Sequence, residues 1–393
     1  MNDTLPFAGL RVLALEQAVA GPFCTRQFAD LGADVIKVEH PVGGDVARRY
    51  DGAMQGLSAY FAWLNRGKRS VTLDLKGTDG RATMLALVDG CDVFVHNLAA
   101  GAIERLGLDY DTVAARNPRA IWVRISGYGP DGPYRERKAY DMLIQAEAGI
   151  VSVTGSPDTP AKAGVSIADI GSGHYAFSSA TAALYRRERT GRGARIDISM
   201  LECMTEWMMP PLYVHLGGGS APQRTGLRHN MIVPYGVYAC ADGQVLFAVQ
   251  NDAEFGRLCE GVLASPTLAR DPRFSVNAAR LAHRDALESL IEGTLSALSV
   301  TDVIARLERS GIANAVVNDV AGVASHPQLA ARRRWRDVES PVGAIPALVP
   351  PHNIIDAPPV MGPIPRLGEH APTWGHRTND EHAPLVVLPA APR

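Results

Sequence analysis

Short apolar runs rich in β-branched residues alternate with helix-compatible stretches through about the first 200 residues of the chain. The predicted strands are Arg11–Leu15, Asp34–Glu39, Arg69–Leu75, Asp92–His96, Ala120–Ile125 and Ala194–Ser199. Stretches between them favour helix, among them Pro22–Leu31, Asp79–Val88 and Tyr110–Ala115. The strand runs are nearly continuously apolar, which is typical of parallel strands buried on both faces. This alternation predicts an α/β fold with a large Rossmann-like domain built on a parallel sheet.

The chain changes character after Arg224, and this predicts a smaller α+β domain. Its predicted strands are Val233–Tyr238, Gln244–Val249 and Ala315–Asn318, and its predicted helices are Ala253–Leu263, Arg284–Leu298 and Val303–Ser310. From Pro341 onward prolines come too often for a regular helix, so we expect an extended arm. The predicted boundaries are 1–215 for the large domain, 225–320 for the small domain and 321–393 for a C-terminal segment that returns to the large domain.

The overall charge and hydropathy exclude two classes of partner. A formal net charge of -2 offers no basic surface for nucleic acid and no polybasic run for a membrane. No apolar run approaches the ~20 residues that span a bilayer, and the stretch up to Leu15 lacks the pattern of a secretory leader. We therefore expect a cytoplasmic protein.

The five cysteines form no pair or cluster with metal-site spacing. Their odd number, without a framework, fits reduced thiols packed as small apolar groups. A nucleophilic cysteine is disfavoured because none lies in a recognisable motif. Histidines and carboxylates also lack the spacing of a metal centre, so we predict no metal.

The segment that begins at Val165 carries the most specific chemistry in the sequence. Its second part is rich in alanine, lacks proline and ends in basic residues before Gly191, which predicts a helix that stops at a glycine. Asp169 lies at the predicted helix start, and Gly171 and Gly173 follow it.

Three interpretations of Asp169 remain open from these residues alone. It could be a helix N-cap, which is worth about 1 kcal/mol of helix stability. It could belong to a glycine-rich ligand loop, although only a weak strand precedes it. It could also be a nucleophile, because Gly171 and Gly173 would let a bulky substrate approach and the helix start would keep the carboxylate ionised.

Several ordered blocks extend the pattern along nearly the whole chain. They are Leu10–Leu13, Ala20–Pro22, Leu31–Glu39, Asn65–Lys76, Asp92–Asn97, Ser126–Tyr134, Ala168–Gly173, Arg189–Met200 and His326–Leu329. With these blocks the chain resembles the class III CoA-transferases, a family that includes formyl-CoA transferase, carnitine-CoA transferase and the α-methylacyl-CoA racemases. The resemblance implies a large Rossmann-like domain, a small domain and a homodimer of two chains interlocked like rings.

The resemblance also implies an acyl-CoA:carboxylate CoA-transferase that acts through Asp169. An aspartyl mixed anhydride and then an aspartyl-CoA thioester would carry the transfer. Backbone N–H groups at Ile170–Gly173 are candidate oxyanion donors, and Gly217–Gly219 is either a covering active-site loop or a surface turn. Coenzyme A thioester is then a substrate, and we expect no further cofactor.

One departure separates transfer from racemisation. Family racemases resemble each other in using a histidine and an aspartate across the α-carbon, but Tyr140 stands at the matching histidine position here. A tyrosine, which ordinarily ionises near pH 10, is a poor base at neutral pH. Asp141 matches an acidic position that borders the active site in transferases, and a helix cap is an equally good interpretation of it. An acyl-CoA racemase or epimerase and a non-catalytic acyl-CoA-binding protein remain the alternatives.

Seven residues match positions that contact coenzyme A in the family. They are His40, Leu73, Asn97, Leu98, Arg105, Lys138 and Met200. His40 replaces an arginine found near the phosphates in some members, and the adjacent Arg48 and Arg49 could substitute for it.

The expected partners are an acyl-CoA donor and a small carboxylic acid acceptor. Val19 replaces a polar residue of formyl-CoA transferase, which argues against formyl or oxalyl groups. General similarity to succinyl-CoA-using members favours a small dicarboxylic acyl group, with Arg224 and Arg228 as possible carboxylate clamps. His229 is a weaker candidate for a role at the substrate.

Overall fold

The computed structural model describes residues 5–375. They divide into two compact units. The first unit contains the described chain up to Ala148, Gly164–Met209 and the described chain from Ala331 onward. The second unit contains Gly149–Ala163 and Pro210–Ala330. The last part of the predicted C-terminal segment, residues 376–393, lies outside the described residues.

The described residues form β-strands in both units. The strands are β1 Arg11–Leu15, β2 Asp34–Glu39, β3 Arg69–Thr72, β4 Val93–His96, β5 Ile121–Ser126, β6 Ala194–Ser199, β7 Tyr235–Cys240, β8 Gly243–Ala248, β9 Ala313–Val316, β10 Trp335–Val338 and β11 Ile345–Leu348.

Helices connect these strands. They are α1 Ala20–Asp30, α2 Ala59–Asn65, α3 Thr78–Asp89, α4 Ala102–Arg105, α5 Tyr110–Arg116, α6 Asp141–Glu147, α7 Ile150–Val153, α8 Ile167–Thr190, α9 Met200–Trp207, α10 Met209–Leu216, α11 Asp252–Gly261, α12 Asn277–Ala282, α13 Arg284–Leu295, α14 Val300–Arg309, α15 Val320–Ala324 and α16 Pro327–Ala331. Val46–Arg49 and Pro266–Arg270 are short 3-10 helices. Between residues 5 and 375, no helix has the length and apolar character needed to cross a bilayer.

A fully parallel sheet forms the centre of the first unit. Its strand order is β3-β2-β1-β4-β5-β6, so the predicted α/β fold with a parallel sheet is confirmed. Strand β3 ends at Thr72, short of the predicted Leu75, because Asp74 begins a turn and accepts hydrogen bonds from Lys76 and Gly77. The chain reverses its direction of travel across the sheet between β1 and β4, where doubly wound sheets open a ligand crevice.

Apolar side chains and helices cover this sheet. Leu13, Ile36, Phe94 and Trp122 are fully or almost fully buried and share one core cluster with Met84 of α3. Burying such a side chain contributes about 1.5–3 kcal/mol relative to leaving it in water. Helix α8 packs along α1 and against β5 and β6. The nucleophile candidate Asp169 therefore lies on a helix that is anchored to the sheet.

The second unit is built on the antiparallel sheet β7-β8-β9. Tyr238, Phe247 and Phe255 are buried in its core. Residues 149–163 belong to this unit, and the N–H of Gly226 donates to the carbonyl of Gly155 at 2.9 Å. The predicted boundaries placed 149–163 and 210–215 in the large domain and 321–330 in the C-terminal segment, whereas contacts group all three stretches with the second unit.

The part of the C-terminal segment that belongs to the first unit begins with a hairpin, β10–β11, which was not predicted from the sequence. Beyond it the chain is irregular and runs over the first unit. The Val360 N–H donates to the Asp30 carbonyl at 2.7 Å, and the Trp374 indole N–H donates to the Leu87 carbonyl at 3.0 Å. An extended arm is therefore present.

Replacing Asp30 by alanine should destabilise the first unit by about 3–5 kcal/mol, because it leaves a buried guanidinium without its partner. Both oxygens of the buried Asp30 accept hydrogen bonds from Arg66 at 2.8 Å. The matched control is Asp89→Ala, which breaks the exposed pair with Arg116 and should lower stability by about 1 kcal/mol or less. Urea unfolding measures both, and equal losses would contradict the burial argument.

Candidate active site

Asp169 is the third residue of α8 and does not cap it. The carboxylate of Asp141, the first residue of α6, caps this helix instead. Its Oδ1 accepts hydrogen bonds from the N–H of Ala168 at 2.8 Å and, more weakly, of Asp169 at 3.4 Å. The helix ends as predicted, at Gly191 with φ of 69°. The interpretation of Asp169 as a helix cap was therefore wrong. Asp141 is a helix cap as predicted, but it caps α8 and not the helix α6 that begins at Asp141.

The carboxyl group of Asp169 has an unusually high proton affinity. Burial, and then the negative charge of Asp141, raise its pKa from 3.8 to about 7. This corrects the expectation that the helix start keeps Asp169 ionised, since the nearest helix-start N–H groups already donate to Asp141. A carboxyl group whose pKa is raised this far by burial and a neighbouring charge is a candidate for a functional site.

Gly171 and Gly173 serve helix packing. A Cβ at Gly171 would lie 2.7 Å from the Met204 side chain, and one at Gly173 would lie 2.5 Å from the carbonyl oxygen of Ala20. Residues 170–173 also lie within the helix, where N–H groups donate to carbonyls of the preceding turn. The proposed substrate-approach and oxyanion roles of this stretch were therefore wrong.

Tyr50 lies near Asp169 and is accompanied by two further tyrosines. Tyr50, Tyr60 and Tyr140 are all exposed, and the rings of Tyr50 and Tyr60 meet edge to face at 5.7 Å. Burial and the nearby charges of Asp45 and Asp169 raise the pKa of Tyr50. The phenol of Tyr50 therefore lies within electrostatic reach of Asp169 and stays protonated as a hydrogen-bond donor.

A cleft of about 190 Å³ opens at the carboxyl ends of the parallel strands. Leu15 ends β1, His40 follows β2, Leu73 follows β3 and Leu98 follows β4, and all four line the cleft. It lies where the strand order reverses, which is the usual ligand crevice of such sheets. Three of the seven predicted coenzyme A contacts, His40, Leu73 and Leu98, are thus brought together.

Asn97 connects this cleft to the helix that supports Asp169. Its side-chain amide donates to the carbonyl of Gln17 at 2.8 Å and accepts from the N–H of Gln17 at 2.9 Å. A Cβ at Gly21 would lie 3.2 Å from the Asn97 side chain, so the start of α1 also contacts it. Helix α1 in turn contacts α8 at Gly173.

The other predicted contacts lie outside the described lining of the cleft. Arg105 ends α4 and Lys138 precedes α6, and both are exposed. Met200 begins α9 and is buried. Their roles at coenzyme A stay predictions.

The two arginines proposed as substitutes near the phosphates are already engaged. Arg48 makes two hydrogen bonds of 2.8 Å to Glu39, and Arg49 donates to the carbonyl of Gly43. Lys76 and Gln17 also line the cleft and were not predicted as site residues from the sequence. Lys76 could have been found, because it closes the motif that contains Leu73.

The candidates in the second unit have local structural partners. Arg228 pairs with Glu292 at 2.6 Å, and Arg224 donates to backbone carbonyls, including that of Pro157 at 2.8 Å. His229 accepts N–H bonds from the next turn of chain and stacks on Tyr235. The expectation of free carboxylate clamps at Arg224 and Arg228 was therefore wrong.

The glycines at 217–219 close the end of α10. Gly218 has φ of 82°, and its N–H donates to the carbonyl of His215. The N–H of Gly219 donates to the carbonyl of Val214 at 2.9 Å. This pair of bonds is the Schellman arrangement that ends a helix. Their role as a covering loop stays a prediction.

A buried ion cluster lies under the cleft. Lys68 donates to Glu16 at 2.7 Å, and Lys37 contacts Asp45 at 2.7 Å and Glu16 at 3.4 Å. All four side chains are inaccessible or almost so. Burial lowers the pKa of Lys68 to about 8 in spite of the opposing charge of Glu16. Within residues 5–375, no group of three or more His, Cys, Asp or Glu side chains could hold a metal ion.

Comparison with known proteins gives matches along almost the whole chain. The model of CoA-transferase family III matches residues 7–371. A succinate–glutarate CoA-transferase of Agrobacterium fabrum is 36% identical over 381 residues, 94% of each chain. An acetyl-CoA:oxalate CoA-transferase of Acetobacter aceti is 39% identical over 83% of this chain and 84% of its own. The crystal structure of a CAIB/BAIF family protein from Brucella suis is 38% identical, with a TM-score of 0.82 over 93% of this chain and 97% of its own.

Asp169→Asn should stabilise the protein at pH 8 by a few kcal/mol, and less at pH 5. An aspartate whose pKa is raised from 3.8 to about 7 by folding loses stability as the pH rises between these values, by about 1.4 kcal/mol per pKa unit. Asparagine does not titrate, so the difference should grow from pH 5 and level off above pH 7. Urea unfolding of both proteins at several pH values measures it, and a pH-independent difference would contradict the raised pKa.

Proposed function

Because the chain belongs to CoA-transferase family III, we propose that Asp169 is the nucleophile with which this CoA-transferase moves coenzyme A between carboxylic acids. The observation that carries the proposal is the Asp169 carboxyl group, partly buried beside Asp141 with a pKa of about 7. A more basic carboxylate is a stronger nucleophile, and near neutral pH a large fraction of it is ionised.

The reaction proceeds by exchange at acyl carbons. A carboxylate oxygen of Asp169 attacks the donor thioester, and the coenzyme A sulfur leaves with the C–S electron pair, so that a mixed anhydride forms. The thiolate then attacks the Asp169 carbonyl of this anhydride, which releases the donor acid and leaves an aspartyl-CoA thioester. The acceptor carboxylate attacks that thioester, and the thiolate leaves with the C–S electron pair, so that a second mixed anhydride forms. The thiolate then attacks the acceptor carbonyl of this anhydride, which gives the acceptor CoA thioester and restores the Asp169 carboxylate. Each step is an acyl transfer, so no proton leaves carbon.

Hydrogen-bond donors are needed where the tetrahedral oxyanions form. Tyr50 is suited to this role, because its phenol is close enough to feel the charge of Asp169 and its raised pKa keeps it protonated. Asp141 acts indirectly, by capping α8 and raising the pKa of Asp169.

We propose that coenzyme A binds in the cleft lined by His40, Leu73 and Leu98. The cleft supplies apolar walls, and Lys76 supplies a cation for a phosphate. Its position at the reversal of strand order agrees with this use. We also assign phosphate contacts to the exposed cations Arg105 and Lys138, as the family resemblance implies.

We favour a small dicarboxylic acyl donor such as succinyl-CoA. The support is the 36% identical relative named a succinate–glutarate CoA-transferase, which covers 94% of this chain. Oxalate is the second candidate acceptor, because the 39% identical relative is named an acetyl-CoA:oxalate CoA-transferase. Val19, which argues against oxalyl groups, is buried at the start of α1 and offers no polar atom to the site.

A homodimer is also part of the proposal. The supporting observation is α10, which carries apolar side chains and has no buried residue. Tyr213 is 68% exposed and Leu216 is 73% exposed. A second copy of the chain is the partner that the family resemblance implies for such a surface.

Asp169→Ala should abolish transfer, by at least about a thousandfold in kcat, while coenzyme A binding changes little, because the nucleophile is lost and the cleft is kept. Incubation with succinyl-CoA followed by borohydride or hydroxylamine should modify Asp169 in the wild type, as read by peptide mass spectrometry. Asp158→Ala, at an exposed aspartate, is the matched control and should retain activity and the Asp169 adduct. Normal turnover by Asp169→Ala would contradict the assignment.

A donor and acceptor panel should separate the substrate candidates. Succinyl-CoA and acetyl-CoA are each tested with glutarate, oxalate, mesaconate and malate, and products are read by mass spectrometry. We expect the highest kcat/KM for succinyl-CoA with a dicarboxylic acid longer than oxalate. A preference for oxalate would favour the second candidate, and deuterium exchange at the α-carbon without transfer would favour a racemase.

A further inference from the structure

The turn between β1 and α1 contains a residue in an unfavourable backbone conformation. Ala18 has φ of 62°, in the left-handed region that residues other than glycine rarely adopt. The turn borders the cleft, since Gln17 lines it. Such a conformation persists only where the surroundings hold it, and at a ligand site it is often part of the function.

The surroundings hold this turn through two side chains from elsewhere in the fold. The amide of Asn97 fixes both main-chain polar groups of Gln17. The carboxylate of Asp45 accepts the N–H of Ala18 at 2.9 Å. Asn97 thus positions Gln17, which precedes the strained residue, and Asp45 binds the strained Ala18 itself.

Asp45 is unusually well placed for this task. Its Oδ1 also accepts the N–H of Ala47 at 2.9 Å, and its Oδ2 pairs with the fully buried Lys37 at 2.7 Å. Only 1% of Asp45 is accessible, so water competes little for the hydrogen bond to Ala18. An ionised acceptor makes a stronger hydrogen bond than a neutral one.

The conformation of Ala18 sets the positions of two parts of the site. On one side it places Gln17 at the cleft. On the other side it leads into α1, where the carbonyl of Ala20 lies against Gly173 of the helix that carries Asp169. A change at Ala18 would therefore move the cleft wall and the support of Asp169 relative to each other.

We propose that Asp45 is a positioning residue that holds Ala18 in its left-handed conformation and so aligns the coenzyme A cleft with Asp169. Asp45 touches no reacting atom and acts through the turn. The inference rests on the proposed function, because it takes the cleft as the coenzyme A site and Asp169 as the nucleophile. The alignment of the cleft with Asp169 is a role for the buried Asp45 carboxylate that goes beyond its ion pair with Lys37 and its helix cap.

The test compares Asp45→Ala with Asp45→Ala/Ala18→Gly and the control Lys37→Met. Asp45→Ala should lower kcat/KM for succinyl-CoA about tenfold or more, which corresponds to about 1.4 kcal/mol. Adding Ala18→Gly should recover at least about fivefold, because glycine adopts positive φ without a steric penalty. Glycine at position 18 also relieves strain in the folded state, but it does not restore the partner of Lys37. The urea midpoint should therefore stay well below that of the wild type while activity recovers.

Lys37→Met breaks the same ion pair but leaves Asp45 to accept the Ala18 N–H. It should lower the urea midpoint and change kcat/KM by about twofold or less. If Lys37→Met loses as much activity as Asp45→Ala, or if glycine at 18 gives no recovery, Asp45 contributes stability alone and the proposal fails. If Asp45→Ala does not fold, Asp45→Asn provides a second test, because its side-chain oxygen can still accept the Ala18 N–H. Its kcat/KM should stay near that of the wild type, while its urea midpoint should fall because the ion pair with Lys37 is lost.

Two readouts separate this inference from the proposed function. Amide hydrogen exchange at Ala18 should be slow in the wild type and Lys37→Met and fast in Asp45→Ala, whatever reaction the enzyme catalyses. Calorimetric titration with free coenzyme A should show weaker binding by Asp45→Ala. If the wild type transfers no coenzyme A but Ala18 shows this exchange pattern, the proposed function fails, and the conclusion that Asp45 fixes the Ala18 conformation is kept. Fast exchange at Ala18 in the wild type would overturn that conclusion.

Discussion

The carboxylate of Glu16 ties the end of the first strand to its surroundings inside the first unit. It accepts a hydrogen bond from Thr25 of α1 at 2.8 Å and contacts Lys68 and Lys37. These partners come from the first helix, the chain before β3, and β2. A buried charge is tolerated only when it is paired and hydrogen-bonded, so every partner must keep its place. The cleft lies directly above this cluster, and Glu16 and Asp45 also line it.

Asp141 and Asp169 form a pair of like charges, in contrast to the oppositely charged groups around Glu16. Two carboxylates lie close together, and one of them takes the favourable N–H groups at the start of α8. The amide of Gln145 also donates to Asp141 at 2.7 Å. Asp141 therefore has donors that stabilise its charge, whereas burial and the neighbouring charge disfavour ionisation of Asp169. The surroundings therefore give the two carboxyl groups different roles, since Asp141 caps α8 and Asp169 has a raised pKa.

The sequence predicted most of the fold, because parallel strands and the turns that follow them leave local signals. All six strands of the large sheet and the strands of the second unit were located to within a few residues. The hairpin β10–β11 was missed because Pro346 and charged residues interrupt its strand pattern. Residues 149–163 were assigned to the wrong neighbour because their partners, such as Gly226, lie far along the chain.

The site was predictable only where a local motif carries it. Asp169, Leu73 and Leu98 could be chosen from their motifs. The cap that Asp141 supplies to a helix 27 residues further on could not be read from spacing, and neither could the pairing of Arg48 with Glu39. Both depend on which side chains the folded sheet brings together. For the same reason the sequence did not predict a role for Asp45, although this residue contacts the turn that borders the cleft.

The raised pKa of Asp169, which burial and then the charge of Asp141 produce, has a consequence for the energetics of the proposed acyl exchange. An ordinary aspartate, with a pKa of 3.8, is far less basic than a thiolate, whose conjugate thiol ionises near pH 8.5. Displacing a thiolate by such a weak base is strongly uphill. With its pKa near 7, Asp169 approaches the basicity of the thiolate that it would displace in the proposed mechanism. Anhydride and thioester then lie closer in free energy, so that the exchange can run in either direction and the concentrations of the two acids decide which one leaves with coenzyme A.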